Sequence, residues 1–262
     1  LGGKDAMIVC SDADVKDAAS GAVVGSLMNA GQYCCGTERI YVMSDIYDEF
    51  VQEVVAITNS LVQSNDCKGD VGPTFWDKQI EIIEDHVNDA IAKGATVLAG
   101  GKRNPAFEGL YFEPTVLTEV THEMKIMKDE TFGPVICIMK VKSEDEALSL
   151  ANQSHFGLNG NVWTKDLVKG QRIASSIETG ACSVNDMAMS YGVNEVPFGG
   201  VKNSGVGVVN GKEGLLGYAH AMPIIIGKKS ASAYPYTDKS FKQLQGALKI
   251  FWGNRLVRKL FG

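Results

Sequence analysis

Apolar positions recur along this chain in two alternating periods. MIVC (7–10) is a short apolar run suited to a buried strand. Val15, Ala18, Ala19, Ala22, Val23 and Leu27 follow near helical spacing, with Asp12 or Asp14 placed to cap that helix. IYVM (40–43) predicts the next buried strand, and Ile46, Phe50, Val51, Val54, Ile57 and Leu61 predict an amphipathic helix over 45–62. QSNDCKGDVGPT (63–74) is dense in turn formers and predicts a loop, before a helix from about Trp76 to Lys93 that stops at Gly94. TVLA (96–99), YFEPTVL (111–117) and PVICIMKV (134–141) have the pattern of extended segments. Ser143 and Glu146 have the spacing of a capping box for a helix through Ala151. NGNVWT (159–164), a helix over about 166–176 and ACSVN (181–185) continue the series.

Strands and helices alternating at this spacing predict an α/β domain with a largely parallel sheet covered on both faces. The pattern changes after Asn185: NEVPFGGVKNSGVGVVNGKEG (194–214) is rich in Gly and Ser, has little periodicity, and predicts a shaped loop. The sequence has no internal repeat.

Composition narrows the class. Hydrophobic residues make up 45% and charged residues 21% of 262, and no apolar run reaches the ~18 residues a membrane span needs. The net charge of -6 is spread over short acidic and basic clusters, which argues against nucleic acid as the main partner. Cys10, Cys34, Cys35, Cys67, Cys137 and Cys182 lack the paired C-x-x-C spacing of a zinc site, and a chain this long needs no disulfide staples. They read as reduced thiols of an intracellular protein, cytoplasmic or at the cytosolic face of an internal membrane and not secreted. Leu1 is neither an initiator Met nor part of a signal-type segment, so the chain reads as a piece of something longer.

The chemistry concentrates in NAGQYCCGTERI (29–40). Cys34 lies at the end of a predicted helix between Gly31-Gln32 and Gly36, where small residues let a backbone turn sharply and expose a side chain. A thiolate there can attack a carbonyl, although most buried free cysteines are inert packing residues, so both readings stand on spacing alone. A cysteine hydrolase needs a histidine base, but His86, His122, His155 and His220 lie in no distinctive signature; His86 reads as a solvated helix residue. No histidine has the neighbours of a metal site, and none is predicted. SGVGVVNG (204–211) lacks the spacing and the preceding strand of a dinucleotide-binding G-x-G-x-x-G turn.

Five ordered motifs together resemble the aldehyde dehydrogenase superfamily. LGGK (1–4) resembles the end of its E-L-G-G-K motif and G-Q-Y-C (31–34) its G-Q-x-C nucleophile motif. ETFGPV (130–135) is similar to E-x-F-G-P. N-x-x-x-F-G-L-x-x-x-V-W-T-K-D (152–166) and N...PFGGVKNSGVG...G..GL (185–215) are similar to the last two signatures. The resemblance covers nearly the whole chain to about residue 225 and implies a three-layer α/β/α catalytic domain over 1–223.

It implies that Cys34, and not Cys35, attacks an aldehyde carbonyl to form a thiohemiacetal whose hydride passes to NAD or NADP, leaving a thioester for hydrolysis. The Cys34 N–H would supply half of an oxyanion hole. Glu130 and Phe132, with Gly2, would hold the nicotinamide side of the cofactor; Asn185, Phe198 and Gly199 would shape the substrate funnel. Lys4 and Arg39 are expected to fix local structure, and Cys35 to pack.

Two departures stand out. The family's water-activating carboxylate immediately precedes L-G-G-K, before Leu1, as do its dinucleotide-binding domain and the asparagine that completes the oxyanion hole. The 262-residue chain alone is therefore expected to be inactive in oxidation, and could instead be a folded binding or assembly module. At Val208-Val209 many members carry Arg-Glu.

Beyond the common pattern, IIIG (224–227) is a candidate for the strand that pairs subunits of a homodimer or tetramer. In SFKQLQGALKIFWGNRLVRKLFG (240–262), Phe241, Leu244, Leu248, Phe251, Trp252, Val257 and Leu260 fall near helical spacing among Lys242, Lys249, Arg255, Arg258 and Lys259. A basic amphipathic helix can lie on an anionic membrane or dock on its own protein; Gly246 and Gly253 weaken an isolated helix and favour docking. This tail, with N-D-x-A-x-x-Y (185–191), is similar to a eukaryotic subgroup typified by plant family-22-like aldehyde dehydrogenases.

Overall fold

The apolar runs become strands because both of their faces are covered. In the computed structural model, which describes residues 2–66, 68–187, 189–227 and 237–253, β1 (Asp5–Val9) is buried at every residue. Ala6 and Ile8 pack into one core, while Met7 and Val9 pack into another on the opposite face. The chain continues through α1 (Val15–Leu27), β2 (Thr37–Met43), α2 (Tyr47–Ser60), α3 (Asp77–Ala92), β3 (Thr96–Ala99), β4 (Thr115–Thr118), β5 (Val135–Val141) and α4 (Glu144–Asn152). After β6 (Phe156–Gly157) come β7 (Gly160–Trp163), α5 (Leu167–Ala174), β8 (Ser183–Val184), α6 (Met189–Gly192), β9 (Phe198–Gly199), β10 (Val201–Lys202), β11 (Val208–Val209) and α7 (Gly211–Leu216).

Seven strands form one sheet in the order β3-β4-β5-β2-β1-β7-β8, with β3 antiparallel to β4 and every other pairing parallel. Parallel neighbours need crossovers, and these supply the outer layers. Ala18, Ala19, Ala22, Val23 and Leu27 of α1 and Phe50 and Val54 of α2 pack on one face. The other face is covered by Ile80, Ile83, Val87 and Ala90 of α3, by Ala147 and Ala151 of α4, and by Ile173 of α5. Fully burying each large aliphatic or aromatic side chain contributes about 1.5–3 kcal/mol. This is the expected α/β/α arrangement.

The helix ends show how the polar signals are used. Asp14 caps α1 by accepting the Asp17 N–H at 3.2 Å, whereas Asp12 accepts from Thr164 Oγ1 and from Lys169 Nζ at 2.6 Å, tying the end of β1 to the β7–α5 turn. Ser143 caps α4, but the Glu146 carboxylate takes the N–H of Lys142 instead of that of Ser143, one residue off the predicted box.

The chain divides into two units, residues 1–220 and 221–262. In the second, α8 (Asp238–Gly253) forms the described part of the predicted tail helix, with Phe241, Leu244, Leu248 and Trp252 at least half exposed. IIIG (224–227) forms no strand; a strand needs a partner ladder, and Ile224, Ile225 and Ile226 are exposed. Leu1, Cys67, Ala188 and the tail residues Arg255, Val257, Arg258, Lys259 and Leu260 lie outside the described residues.

Candidate active site

Cys34 occupies a tight turn between a short 3-10 segment (residues 28–31) and β2. The turn is closed by Gly36 N–H donating to Tyr33 O at 2.9 Å, which leaves Cys34 and Cys35 as its central pair. Their exposure differs: Cys34 is exposed, while Cys35 is buried with Leu158 and Phe198. Two glycines allow the turn to sit where it does. Gly31 has φ +73, and a Cβ there would lie 2.0 Å from the Gly133 carbonyl oxygen. A Cβ on Gly3 would lie 2.5 Å from the carbonyl oxygen of Cys34, so β1 and the cysteine turn approach at backbone contact. Gln32 anchors the segment through its side chain, accepting from Phe75 N at 2.8 Å and donating to Asn29 O at 2.9 Å.

The environment favours a thiolate at Cys34. A hydrogen bond from the Cys35 thiol, helped by backbone donors at Cys34 and Cys35, pulls Cys34 down to about 6 from 9.0 against the opposing effect of burial. Cys35 moves the other way, because it gives the hydrogen bond and is buried. The pair therefore holds one negative charge, on the exposed sulfur.

Opposite the turn, ETFGPV runs into β5. Burial raises the Glu130 carboxyl to about 7, although its Oε1 accepts the Gly3 N–H at 2.9 Å. Its other oxygen has no hydrogen-bond partner among the described residues, so the group can still accept from a hydroxyl. Phe132 adopts φ +49, uncommon for a residue with a Cβ. Glu38 on β2 holds it there: its carboxylate accepts the N–H groups of Phe132 and Thr131, each at 2.9 Å, and pairs with the buried Lys4. Thr131 is fixed on its remaining sides by Lys4 Nζ, by Gln79 Nε2 donating to its carbonyl at 2.7 Å, and by His86 Nδ1.

His86 is thus a buried residue of this network and not a solvated one. The inner stripe of α3 runs through Ile80, Ile83, Val87 and Ala90, and His86 lies on it. Burial first, and then the Lys4 charge, holds its pKa below the usual histidine value. Burial lowers His122 further, to about 4, where it bonds Tyr41 Oη at 2.8 Å. Lys4 and Arg39 fix local structure as expected: Arg39 donates to the carbonyls of Lys4, Leu150 and Ala151.

A cavity of about 840 Å³ brings Gly2, Cys34, Glu130, Phe132, Phe198 and Gly199 together. Asn185 is not among its lining residues. With φ +54, Asn185 spends its side chain on Thr164, accepting from the N–H at 2.9 Å and donating to the carbonyl at 2.8 Å, which ties β8 to the end of β7. Gln79, Phe75, Trp76 and Tyr191 line the cavity without having been singled out from the sequence. Among the described residues no cluster of three or more His, Cys, Asp or Glu could hold a metal.

The model of the aldehyde dehydrogenase family matches residues 1–223. The chain belongs to that family. It is 42% identical over 227 residues to the putative succinate-semialdehyde dehydrogenase [NADP(+)] 2 of Mycobacterium ulcerans, covering 86% of this chain and 44% of that protein. It is 37% identical over 257 residues to the 4,4'-diapolycopene aldehyde oxidase of a Methylomonas species, covering 97% of this chain and 48% of that protein. Among solved structures, betaine aldehyde dehydrogenase of Staphylococcus aureus with NAD+ superposes with a TM-score of 0.79 at 38% identity, over 83% of this chain and 44% of that one. The chain spans about half the length of these relatives. The matches support membership of the family as a whole; none of these three relatives is a plant protein, and the subgroup likeness rests on the tail and residues 185–191 alone.

Proposed function

We propose that this chain is the catalytic half of an NAD(P)-dependent aldehyde dehydrogenase with Cys34 as its nucleophile. The observation that carries the reading is an exposed thiolate-prone cysteine sharing one cavity with Glu130, Phe132 and the PFGG turn. The Cys34 sulfur attacks the aldehyde carbon, and the resulting oxyanion is met by the Cys34 N–H. Bound NAD(P) supplies the acceptor for the hydride that leaves the thiohemiacetal carbon. Water then cleaves the Cys34 thioester, releasing the acid and restoring the thiolate.

Glu130 fits the cofactor because an oxygen without a hydrogen-bond partner is available to the ribose hydroxyls, while Gly2 leaves room beside it: a Cβ there would lie 2.4 Å from Glu130 Oε2. Phe132, held by Glu38, would flank the ring side, and Phe198 and Gly199 the aldehyde. The reading takes 1–223 as the catalytic part, supported by the family match over those residues, and 224–262 as an extension. Free thiols at Cys10, Cys34, Cys35, Cys137 and Cys182 support a reducing compartment, cytoplasmic or at the cytosolic face of an internal membrane. Assembly as a homodimer or tetramer, and contact of the cationic tail helix with a membrane surface, complete the reading; light scattering and vesicle flotation check them.

The two relatives are named for different aldehydes, 4,4'-diapolycopene aldehyde and succinate semialdehyde, and so point to no single substrate. The second reading is that of a folded binding or assembly module. One assay separates the two: aldehyde-dependent reduction of NAD+ or NADP+ by the longest product of the gene and by the 262-residue chain. Turnover by the former alone supports the first reading for the full-length protein, and turnover by neither refutes it.

A further inference from the structure

Resting on the reading of Cys34 as the aldehyde-accepting thiol, we infer that this chain's half of the site selects an uncharged apolar aldehyde and discriminates against aldehydes with a distal carboxylate. One wall of the cavity is built from apolar groups on paired backbone. β9 and β11 form an antiparallel ribbon in which Phe198 stands opposite Val209 and Gly199 opposite Val208, and all four residues line the cavity. Tyr191 meets Phe198 edge to face at 5.2 Å, and Leu158 packs with Phe198 and Cys35 behind the nucleophile. Val208 and Val209 remain 40% and 45% exposed, apolar surface that a hydrocarbon chain would take out of water.

Charge points the same way. Among the described residues no Lys, Arg or His lines the cavity, whereas Glu130 and Cys34 both do. Three cations near it in sequence are committed elsewhere, Lys4 to Glu38 and Thr131, Arg39 to three backbone carbonyls, and Lys202 to Glu178 and the carbonyls of Asn152 and Ser154, while Lys78 lies over the ring of the lining Trp76, 5.4 Å from its centroid. A carboxylate entering this space would lose water without gaining a counter-ion and would face negative charge. A methylene loses nothing by entering.

The test has two parts. With the full-length protein and both cofactors, kcat/KM is measured for butanal, hexanal, octanal, benzaldehyde and succinic semialdehyde. It should rise roughly fourfold per methylene along the alkanals, and succinic semialdehyde should lie at least ~100-fold below hexanal, the cost of one unpaired carboxylate. With the 262-residue chain, hexanamide and succinamate are compared as protectants of Cys34 against iodoacetamide; hexanamide should protect at a concentration at least ~10-fold lower. Succinic semialdehyde turned over as well as hexanal, or succinamate protecting as well as hexanamide, overturns the inference. Selective protection by hexanamide without turnover of any aldehyde would uphold the apolar site while refuting the dehydrogenase reading.

Discussion

Replacing Cys35 by alanine removes the donor that holds Cys34 ionised. Cys34 titrates near 6 instead of 9.0 chiefly because the Cys35 thiol donates to it, with backbone N–H groups adding and burial opposing. At pH 7 a midpoint of 6 leaves roughly nine-tenths of the sulfur as thiolate; a full return to 9 would leave about one part in a hundred, a ~90-fold loss. The more basic thiolate is intrinsically the better nucleophile, by roughly 20-fold over that interval for a Brønsted slope near 0.4–0.5. The two effects nearly cancel, and the alkylation rate at pH 7 falls only about fourfold. The midpoint is therefore the informative quantity. Iodoacetamide labelling of the 262-residue chain from pH 5 to 10, with Cys34 resolved from the other thiols by peptide mass mapping, should give a midpoint near 6 for the wild type. Cys35→Ala should move it above about 7.5, short of 9 because the backbone donors remain. Cys35→Ser keeps a donor and should stay near the wild type. An unmoved midpoint in Cys35→Ala refutes the account of how the nucleophile is activated.

Other residues give separate tests. Burial raises Glu130 to about 7, so the carboxylate that accepts ribose hydroxyls is lost as pH falls through that value; the KM for NAD(P) of the full-length protein should rise below pH 7 and become flat in Glu130→Gln, and an unchanged slope in the variant argues against ribose contact. Glu38→Ala strands the buried Lys4 and frees the N–H groups of Thr131 and Phe132, which should cost about 3–5 kcal/mol in urea unfolding; a loss below about 1 kcal/mol would show that the clamp is unimportant. Burial raises the pKa of Asp5 well above the usual carboxylate value, and its Oδ2 lacks a partner among the described residues. A raised folded pKa means that its stabilising contribution is present below the unfolded value of about 4 and is lost as pH rises through the folded one. Asp5→Asn should therefore gain on the wild type as pH rises, and a pH-independent difference between the two refutes that burial penalty.

The layers were legible because β1, β2, β5 and β7 are buried on both faces and stand out as continuous apolar runs, with capped helices between them. Strand direction was not: TVLA has the pattern of any short strand, and its antiparallel pairing with β4 across residues 100–114 leaves no mark in its side chains. Of the cavity, the exposed Cys34 stood out through its motif, and the burial of Cys35 beside it shows only in the packing with Leu158 and Phe198. Glu38 was invisible because its partners, Lys4 and Thr131, lie 34 and 93 positions away and no local pattern links them. His86 could have been found by extending the α3 apolar stripe through it. The motif marks Asn185 but not its hydrogen bonds, which join β8 to the end of β7.

The central claim is that the Cys34 sulfur accepts the aldehyde carbon. It is tested most directly by acid-quenching the full-length protein during turnover of an aldehyde with NAD(P)+ and fragmenting the peptide that carries residues 34 and 35. An acyl group on Cys34, absent from a Cys34→Ala variant that also forms no NAD(P)H, is the predicted result; acylation of Cys35, or turnover by Cys34→Ala, would contradict it.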